Sequence, residues 1–344
     1  MNKPNDPILP QIEARITALL PVTEAKKTIA AVAGSGFDCI DNTDLISAYR
    51  PAEALLGGGG KRWRPRLMAL CSRLTGREVS DTVLQLAVLP ELVHNGTLMV
   101  DDIEDGAVLR RGSPCAHIRY GVDTAINSGN LLYFLPTVLI DNADLTDSQK
   151  LTLYRIYAFY MRRVHFGQAL DIEWHKTDKI PEEAAYLQMC RLKTGSLAAM
   201  AAECGLFLGG GTPEQQKIIG TVAENIGIVF QIADDIINLR TGNKGKNRGD
   251  DIVEKKKSLP VILYCRRYDP AALMNLMRIA AENGYERAKN EVMQAVEMLL
   301  NSDADKEAEA VAESLRRDTL NLLRTSFPET DARRQIEEMV ACFL

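Results

Sequence analysis

Two acidic clusters, each closing an apolar run, constrain this chain more than any other feature. The first lies in H-N-G-T-L-M-V-D-D-I-E-D-G, residues 94–106, and the second in N-I-G-I-V-F-Q-I-A-D-D-I-I-N, residues 225–238. If the first run is helical up to Gly106, Asp101 and Asp105 share a face, about 6 Å apart along the axis. Asp234, Asp235 and Asn238 repeat that spacing, with an amide oxygen in place of the last carboxylate. For one such motif alone, an exposed acidic helix end is the better explanation. Carboxylates inside apolar helices are costly unless paired or bound to metal, so a second copy argues for a built site. Asp101, Asp102, Asp105, Asp234 and Asp235 are therefore candidate metal ligands. Magnesium commonly takes one or two carboxylates and leaves its other positions to water and phosphate oxygens, which suits a metal-bridged diphosphate. Arg110 and Arg111 follow the first motif directly, and guanidinium forks match phosphate oxygens.

A chain that carries both clusters on helix ends is expected to be all-α. Strand signals are scarce, whereas Ile8, Ile12, Ile16, Leu19 and Leu20 recur at helix spacing. Helices are predicted over 66–75, 82–105, 125–139 and 151–173, over much of 271–344, and from a cap at Asn42 or Thr43. Length alone allows two domains, but no linker or composition break divides the 344 residues. The expectation is one domain over 1–344, its first 40 residues weakly characterised. It is a bundle of about ten or more helices around a central cavity, where helical folds build ligand sites. The two acidic motifs are expected to face each other across its mouth. A net charge of −5 argues against general nucleic-acid binding. Seven scattered cysteines with no C-x-x-C pair fit reduced thiols and a cytoplasmic setting. No signal-peptide core and no apolar run of membrane-span length is evident.

Further stretches carry basic and polar groups. G-G-G-G-K-R-W-R-P, residues 57–65, places Lys61, Arg62 and Arg64 beside a backbone free to approach an oxyanion. A flexible loop with solvated cations is at least as common. In L-K-T-G-S-L, Lys193 and Thr194 offer an ammonium and a hydroxyl, and Gly195 with the small residues after it suits close helix packing. Gln168 and Asp171 in F-G-Q-A-L-D are about as well explained by the polar face of a surface helix. Residues 241–260 are dense in Gly, Lys and Asp, a composition found in solvated loops and in lids over phosphorylated substrates. His94 stands two helical turns before Asp101, and a lone histidine on an apolar helix is more often a core residue than a ligand.

D-D-x-x-D at 101–105, F-Q-x-x-D-D at 230–235, G-G-K-R-W-R-P at 59–65 and K-T at 193–194 together resemble the trans-isoprenyl diphosphate synthases, the polyprenyl synthetase family. The closest likeness is to the branch that makes geranylgeranyl diphosphate. The resemblance implies an isoprenoid synthase fold and a prenyltransferase. Such an enzyme condenses isopentenyl diphosphate head-to-tail with dimethylallyl, geranyl or farnesyl diphosphate, using two or three magnesium ions. It implies Lys61, Arg64, His94 and Arg111 as ligands of isopentenyl diphosphate. Arg110, Lys193, Thr194, Gln231, Lys246 and Lys256 become ligands of the diphosphates, with the register among Lys255, Lys256 and Lys257 left open by one. Asp101, Asp105, Lys193, Asp234 and Lys256 form the implied catalytic set, and a homodimer is the implied assembly. Gly96 and Thr97 stand where members that stop at fifteen carbons usually carry bulky aromatics, which implies a tunnel past this point and an all-trans product of twenty carbons or more. Two alternatives are a class I terpene cyclase and a non-catalytic subunit of a heteromeric synthase. The first should lack G-G-K-R-W-R-P and the second usually has a degraded aspartate motif, whereas here both motifs and the loop are intact.

Overall fold

The computed structural model describes residues 8–20, 25–37, 39–242 and 247–343. They fall into two compact units, each drawn from three segments of the chain. The first takes in Met1–Phe159, Met200–Ile219 and Pro328–Ile336, and the second Tyr160–Ala199, Gly220–Phe327 and Glu337–Leu344. As expected, the secondary structure is helical almost throughout.

The first unit opens with α1 (Leu9–Leu19), α2 (Ala25–Ala33) and α3 (Asn42–Gly57). α1 buries Ile12 and Ile16, and its Pro10 sits in the first turn, where a missing N–H costs nothing. α3 takes Asp41 as its extended N-cap residue, one or two positions before the expected cap, and no side chain bonds there. α4 (Trp63–Ser72) is buried on every face, including Arg64 and Arg66, as a helix at the centre of a core must be. The helix predicted over 82–105 is two helices, α5 (Asp81–Leu86) and α6 (Leu89–Glu104). Ser80 caps α5 by accepting the Val83 N–H, and Pro90 in the first turn of α6 starts a fresh helix because it has no N–H to continue the old one. Residues Asp81–Glu104 are, against expectation, long and apolar enough for a membrane span, but 72% of their most apolar window is buried inside the protein.

α6 ends at Glu104, and the chain then forms a short hairpin of β1 (Leu109–Arg110) and β2 (Ser113–Pro114). Arg111 (φ 53°) and Gly112 (φ 79°) form its two-residue turn, the left-handed pair that a tight hairpin requires. α7 (Ala116–Tyr120), α8 (Val122–Asp141) and α9 (Asp147–Lys176) follow. α6 and α8 meet at two glycines: a Cβ on Gly96 would lie 2.7 Å from the Gly129 carbonyl oxygen and 2.9 Å from the Tyr133 ring.

The second unit holds the end of α9, then α10 (Glu183–Cys190), a π-helical turn at Arg191–Gly195, the start of α11 (Ser196–Leu208) and the end of α18 (Asp331–Ala341). It also holds most of α12 (Pro213–Arg240), and α13 (Asp250–Val253), α14 (Leu259–Arg267), α15 (Ala271–Asn283), α16 (Lys289–Asn301) and α17 (Ala304–Ser326). Tyr186, Ile232, Ile236, Leu259 and Leu263 are part of its core. Three glycines bring backbones together here. A Cβ on Gly227 of α12 would stand 2.5 Å from the Gly195 Cα, one on Gly195 would stand 2.9 Å from the Glu224 carbonyl oxygen, and one on Gly167 of α9 would meet the Leu192–Lys193 backbone. The π turn therefore lies against both α9 and α12, and this packing sets where Lys193 and Thr194 point.

Candidate active site

The first motif sits where α6 ends. Asp101 and Asp105 are partly exposed there, and Asp105 is the C-cap residue, its N–H bonded to the Asp101 carbonyl oxygen at 2.8 Å. Asp102 turns the other way: it is 1% exposed and accepts from Arg110 Nε at 2.8 Å, which departs from its expected role as a metal ligand. Arg110 Nη2 also stands 3.9 Å from Asp101. The two carboxylates, Asp102 first, hold the Arg110 guanidinium firmly charged against the cost of its burial. Arg111, across the hairpin turn, donates to the Leu55 carbonyl oxygen at 2.8 Å.

The glycine stretch feeds the same region of the first unit. Lys61 is exposed, whereas Arg64 is buried with its plane 4.5 Å over the Trp63 ring. Burial pushes the Arg64 pKa down to about 10, opposed only by Glu91, and its Nε has no hydrogen-bond partner. A buried guanidinium with an unused donor is a place for an anion. His94 shares this environment. Burial, then the charges of Arg64, Arg111, Arg110 and Arg62, holds its pKa well below the ordinary value, so the imidazole is neutral. Thr97 Oγ1 donates to the His94 carbonyl oxygen at 2.8 Å.

The second unit carries a polar chain of its own. Lys193 Nζ donates to Asp171 Oδ2 at 2.6 Å, and His175 Nε2 lies 2.8 Å from Asp171 Oδ1. Lys193, then His175 and Lys256, overcome burial and hold the Asp171 carboxyl well below the usual range. Thr194 Oγ1 donates to Gln231 Oε1 at 2.8 Å, and Gln231 Nε2 donates to Asp235 Oδ1 at 3.0 Å. Asp235 Oδ2 accepts from Tyr186 at 2.6 Å and from the Leu259 N–H at 3.2 Å. Asp235 is thus 6% exposed and engaged by three donors, which departs from the expectation of a metal ligand, while its neighbour Asp234 is partly open. Burial raises the Asp235 pKa against those hydrogen bonds. Asn238 corrects another expectation: it is 3% exposed and its amide oxygen accepts the Asp251 N–H, so it does not stand in for a third carboxylate.

Among the three lysines, Lys257 is 2% exposed and donates to the Lys255 carbonyl oxygen, Lys255 points to Asp178, and Lys256 pairs with Glu254 while its charge acts on Asp171. Lys246 lies outside the described residues, as do 243–245 of the expected lid. Gly96 is a correction. The contact of α6 with α8 fills the space where its Cβ would stand, which departs from the open space expected beside it. Sequence reasoning missed Glu91, Tyr186 and His175. Glu91 alone left a signal, a carboxylate inside the apolar run L-P-E-L-V.

Partly exposed carboxylates and buried guanidiniums in the first unit, and a lysine–threonine pair in the second, are groups suited to multiply charged phosphates. The chain belongs to the polyprenyl synthetase family, whose model matches residues 47–299. It is 32% identical over 253 residues to geranylgeranyl diphosphate synthase of Methanosarcina mazei, spanning 73% of this chain and 71% of that one. It is 33% identical over 263 residues to the short chain isoprenyl diphosphate synthase of Methanocaldococcus jannaschii, spanning 76% and 78%. Its fold matches the crystal structure of a polyprenyl synthase from Caulobacter crescentus complexed with calcium and isoprenyl diphosphate, with TM-score 0.76, 26% identity, and 96% and 97% of the two chains covered.

The family implies a divalent ion. Among the described residues no three His, Cys, Asp or Glu side chains gather as a closed metal site. A magnesium ion needs no such cage, because one or two carboxylate oxygens suffice when phosphates and water fill the rest. Asp101, Asp105 and Asp234, partly exposed oxygen donors, fit that chemistry.

Proposed function

We propose that this protein condenses isopentenyl diphosphate with an allylic diphosphate to give an all-trans product of twenty carbons or more, geranylgeranyl diphosphate being the best single choice. The observation that carries this reading is the extent of the family match, which spans both acidic motifs, the glycine loop and the K-T pair. Relatives named as geranylgeranyl and geranylfarnesyl diphosphate synthases favour twenty or more carbons.

Asp101, Asp105 and Asp234 would hold two or three magnesium ions, with Asp102 and Asp235 positioning the motifs from behind. The ions supply Lewis-acid neutralisation of the charge that develops on a departing diphosphate. Lys193 and Lys256 bring ammonium groups to the allylic diphosphate, and Thr194 and Gln231 orient the Lys193 turn. Arg110 adds a guanidinium already fixed by Asp102. As the allylic C–O bond breaks, these preorganised charges stabilise the leaving group, and the electron pair stays with it. Lys61, Arg64 and Arg111 hold isopentenyl diphosphate, and neutral His94 adds a hydrogen bond without adding charge. The double bond of that substrate attacks the allylic cation to form the new C–C bond, and the proton lost from the adduct goes to the released diphosphate. Lys246 is assigned to the allylic diphosphate by resemblance alone. A cytoplasmic homodimer is part of the proposal; cysteines that form no disulfide among the described residues, and exposed apolar side chains on α8, support it.

The test is a magnesium-dependent assay of the purified chain alone with isopentenyl and farnesyl diphosphates. A twenty-carbon or longer diphosphate supports the reading. A hydrocarbon formed without isopentenyl diphosphate would mean a cyclase, and no product would mean a partner-dependent subunit.

A further inference from the structure

Arg62 lies between Lys61 and Arg64 and does something different from both. It is a non-glycine residue in the left-handed region (φ 46°), the N-cap residue of α4, and only 3% exposed. Such a backbone persists only where the surroundings hold it. Its guanidinium is held at each nitrogen. Nε donates to Glu13 Oε1 at 2.7 Å, Nη1 to Glu91 Oε1 at 2.7 Å, and Nη2 to the Leu56 carbonyl oxygen at 2.6 Å and to Glu13 Oε2 at 3.3 Å. Glu91 is fixed in turn by Asn95 Nδ2 at 3.0 Å. The glycine loop passes between this guanidinium and that of Arg111: a Cβ on Gly60 would lie 3.2 Å from Arg62 Nη1 and 3.3 Å from Arg111 Nη2.

Glu13 is on α1, before the region that matches the family. α1 has other anchors: Ile12 and Ile16 are buried at 0% and 3%, and Arg15 pairs with Asp81. The Glu13 carboxylate is therefore not needed to dock the helix, and its two bonds serve Arg62. We propose that Glu13 is a positioning residue for the diphosphate loop, fixing through Arg62 the left-handed turn from which Lys61 and Arg64 project. This inference rests on the assignment of Lys61 and Arg64 to isopentenyl diphosphate made above. Without Glu13, a buried guanidinium loses two acceptors and the turn it holds is free to relax.

The sign of the effect separates positioning from simple electrostatics. A negative charge near an anion site repels the anion, so if charge alone mattered, Glu13→Gln would tighten diphosphate binding. Positioning predicts the reverse. The experiment titrates isopentenyl diphosphate into the full chain by calorimetry, with magnesium and no allylic substrate, for the wild type, Glu13→Gln and Ile12→Ala. Glu13→Gln should weaken binding on the order of tenfold and raise the KM for isopentenyl diphosphate to match, with kcat and the farnesyl diphosphate KM unchanged. Ile12→Ala should lower Tm more than Glu13→Gln does, yet keep the wild-type affinity. Wild-type or tighter binding by Glu13→Gln overturns the inference, and so does a loss of affinity that simply tracks Tm in both variants. If the wild type condenses the substrates and Glu13→Gln binds normally, the inference alone fails. If the wild type neither binds isopentenyl diphosphate nor turns over, the functional reading fails and takes the inference with it.

Discussion

Lys257 shows how burial and charge oppose each other at one residue. It is 2% exposed, and burial, then the charge of Lys255, lowers its pKa to about 8. A lysine whose folded pKa lies below its unfolded value destabilises the fold while charged, and stability rises as pH climbs from about 8 toward the ordinary lysine value. Lys257→Met should therefore stabilise the protein at pH 7 by on the order of 1–3 kcal/mol, a gain that shrinks above roughly pH 10. Denaturant titrations at both pH values check this; an equal gain at both would mean that the charge is not the cause. Asp171 has the opposite sign. Its depressed carboxyl, paired with Lys193 and His175, contributes stability above the ordinary carboxylate pKa that is lost as pH falls below it. The Tm of the wild type should drop below about pH 4, and Asp171→Asn should flatten that limb while lowering the Tm at pH 7. Removing a carboxylate proposed to hold metal is a different kind of loss. Asp101→Ala or Asp234→Ala should cut turnover by at least ~10²-fold with helicity intact by circular dichroism, and near-normal turnover would remove that residue from the catalytic set.

At the scale of elements, α6 and its contact with α8 distinguish two neighbouring positions that the sequence pairs. Gly96 has no room for a Cβ beside Gly129 and Tyr133, so Gly96→Phe must push the helices apart, at a cost of about 1–3 kcal/mol or more. Thr97 is only partly buried, and its hydroxyl bonds its own helix. Thr97→Phe should leave Tm within a few degrees and shift the main product toward fifteen carbons, read by chromatography of the dephosphorylated products. Gly96→Phe should instead lower Tm and total activity with little change in product length. If Thr97→Phe leaves the product distribution unchanged, chain length is set elsewhere. The contrast arises because adjacent helical residues point about 100° apart, so one faces a neighbouring backbone and the next does not.

At the scale of the molecule, Ile118 on α7 and Val122, Ile126 and Phe134 on α8 stay 56%, 50%, 41% and 68% exposed. A group of large apolar side chains facing water is uncommon on a monomer and suits a self-complementary interface. Phe134→Asp should convert the proposed dimer to a monomer in sedimentation experiments. A monomeric wild type would remove the dimer from the proposal, and an unchanged dimer in the variant would place the interface on another face.

The sequence by itself determined the helical class, both acidic helix ends, the basic glycine stretch and the family, because each is a local pattern: a 3.6-residue period, a spacing of four, a run of glycines beside cations. Tertiary packing alone decided which member of each pair faces outward. Asp102 and Asp235 look like ligands in a string of letters, yet Arg110, eight residues on, draws the first inward, and Tyr186 and the Leu259 N–H, 49 and 24 residues away, join the nearby Gln231 in drawing in the second. Gly96 looked like open space because a missing side chain in a sequence does not reveal the backbone that fills the gap. Arg62 looked like one more cation beside Lys61 and Arg64, and Glu13 had no visible role at all, since 49 residues separate the two. Neighbours in space that are remote in sequence leave no periodic signal, and burial, which turns a charge into a ligand, a strut or a burden, is set by those neighbours.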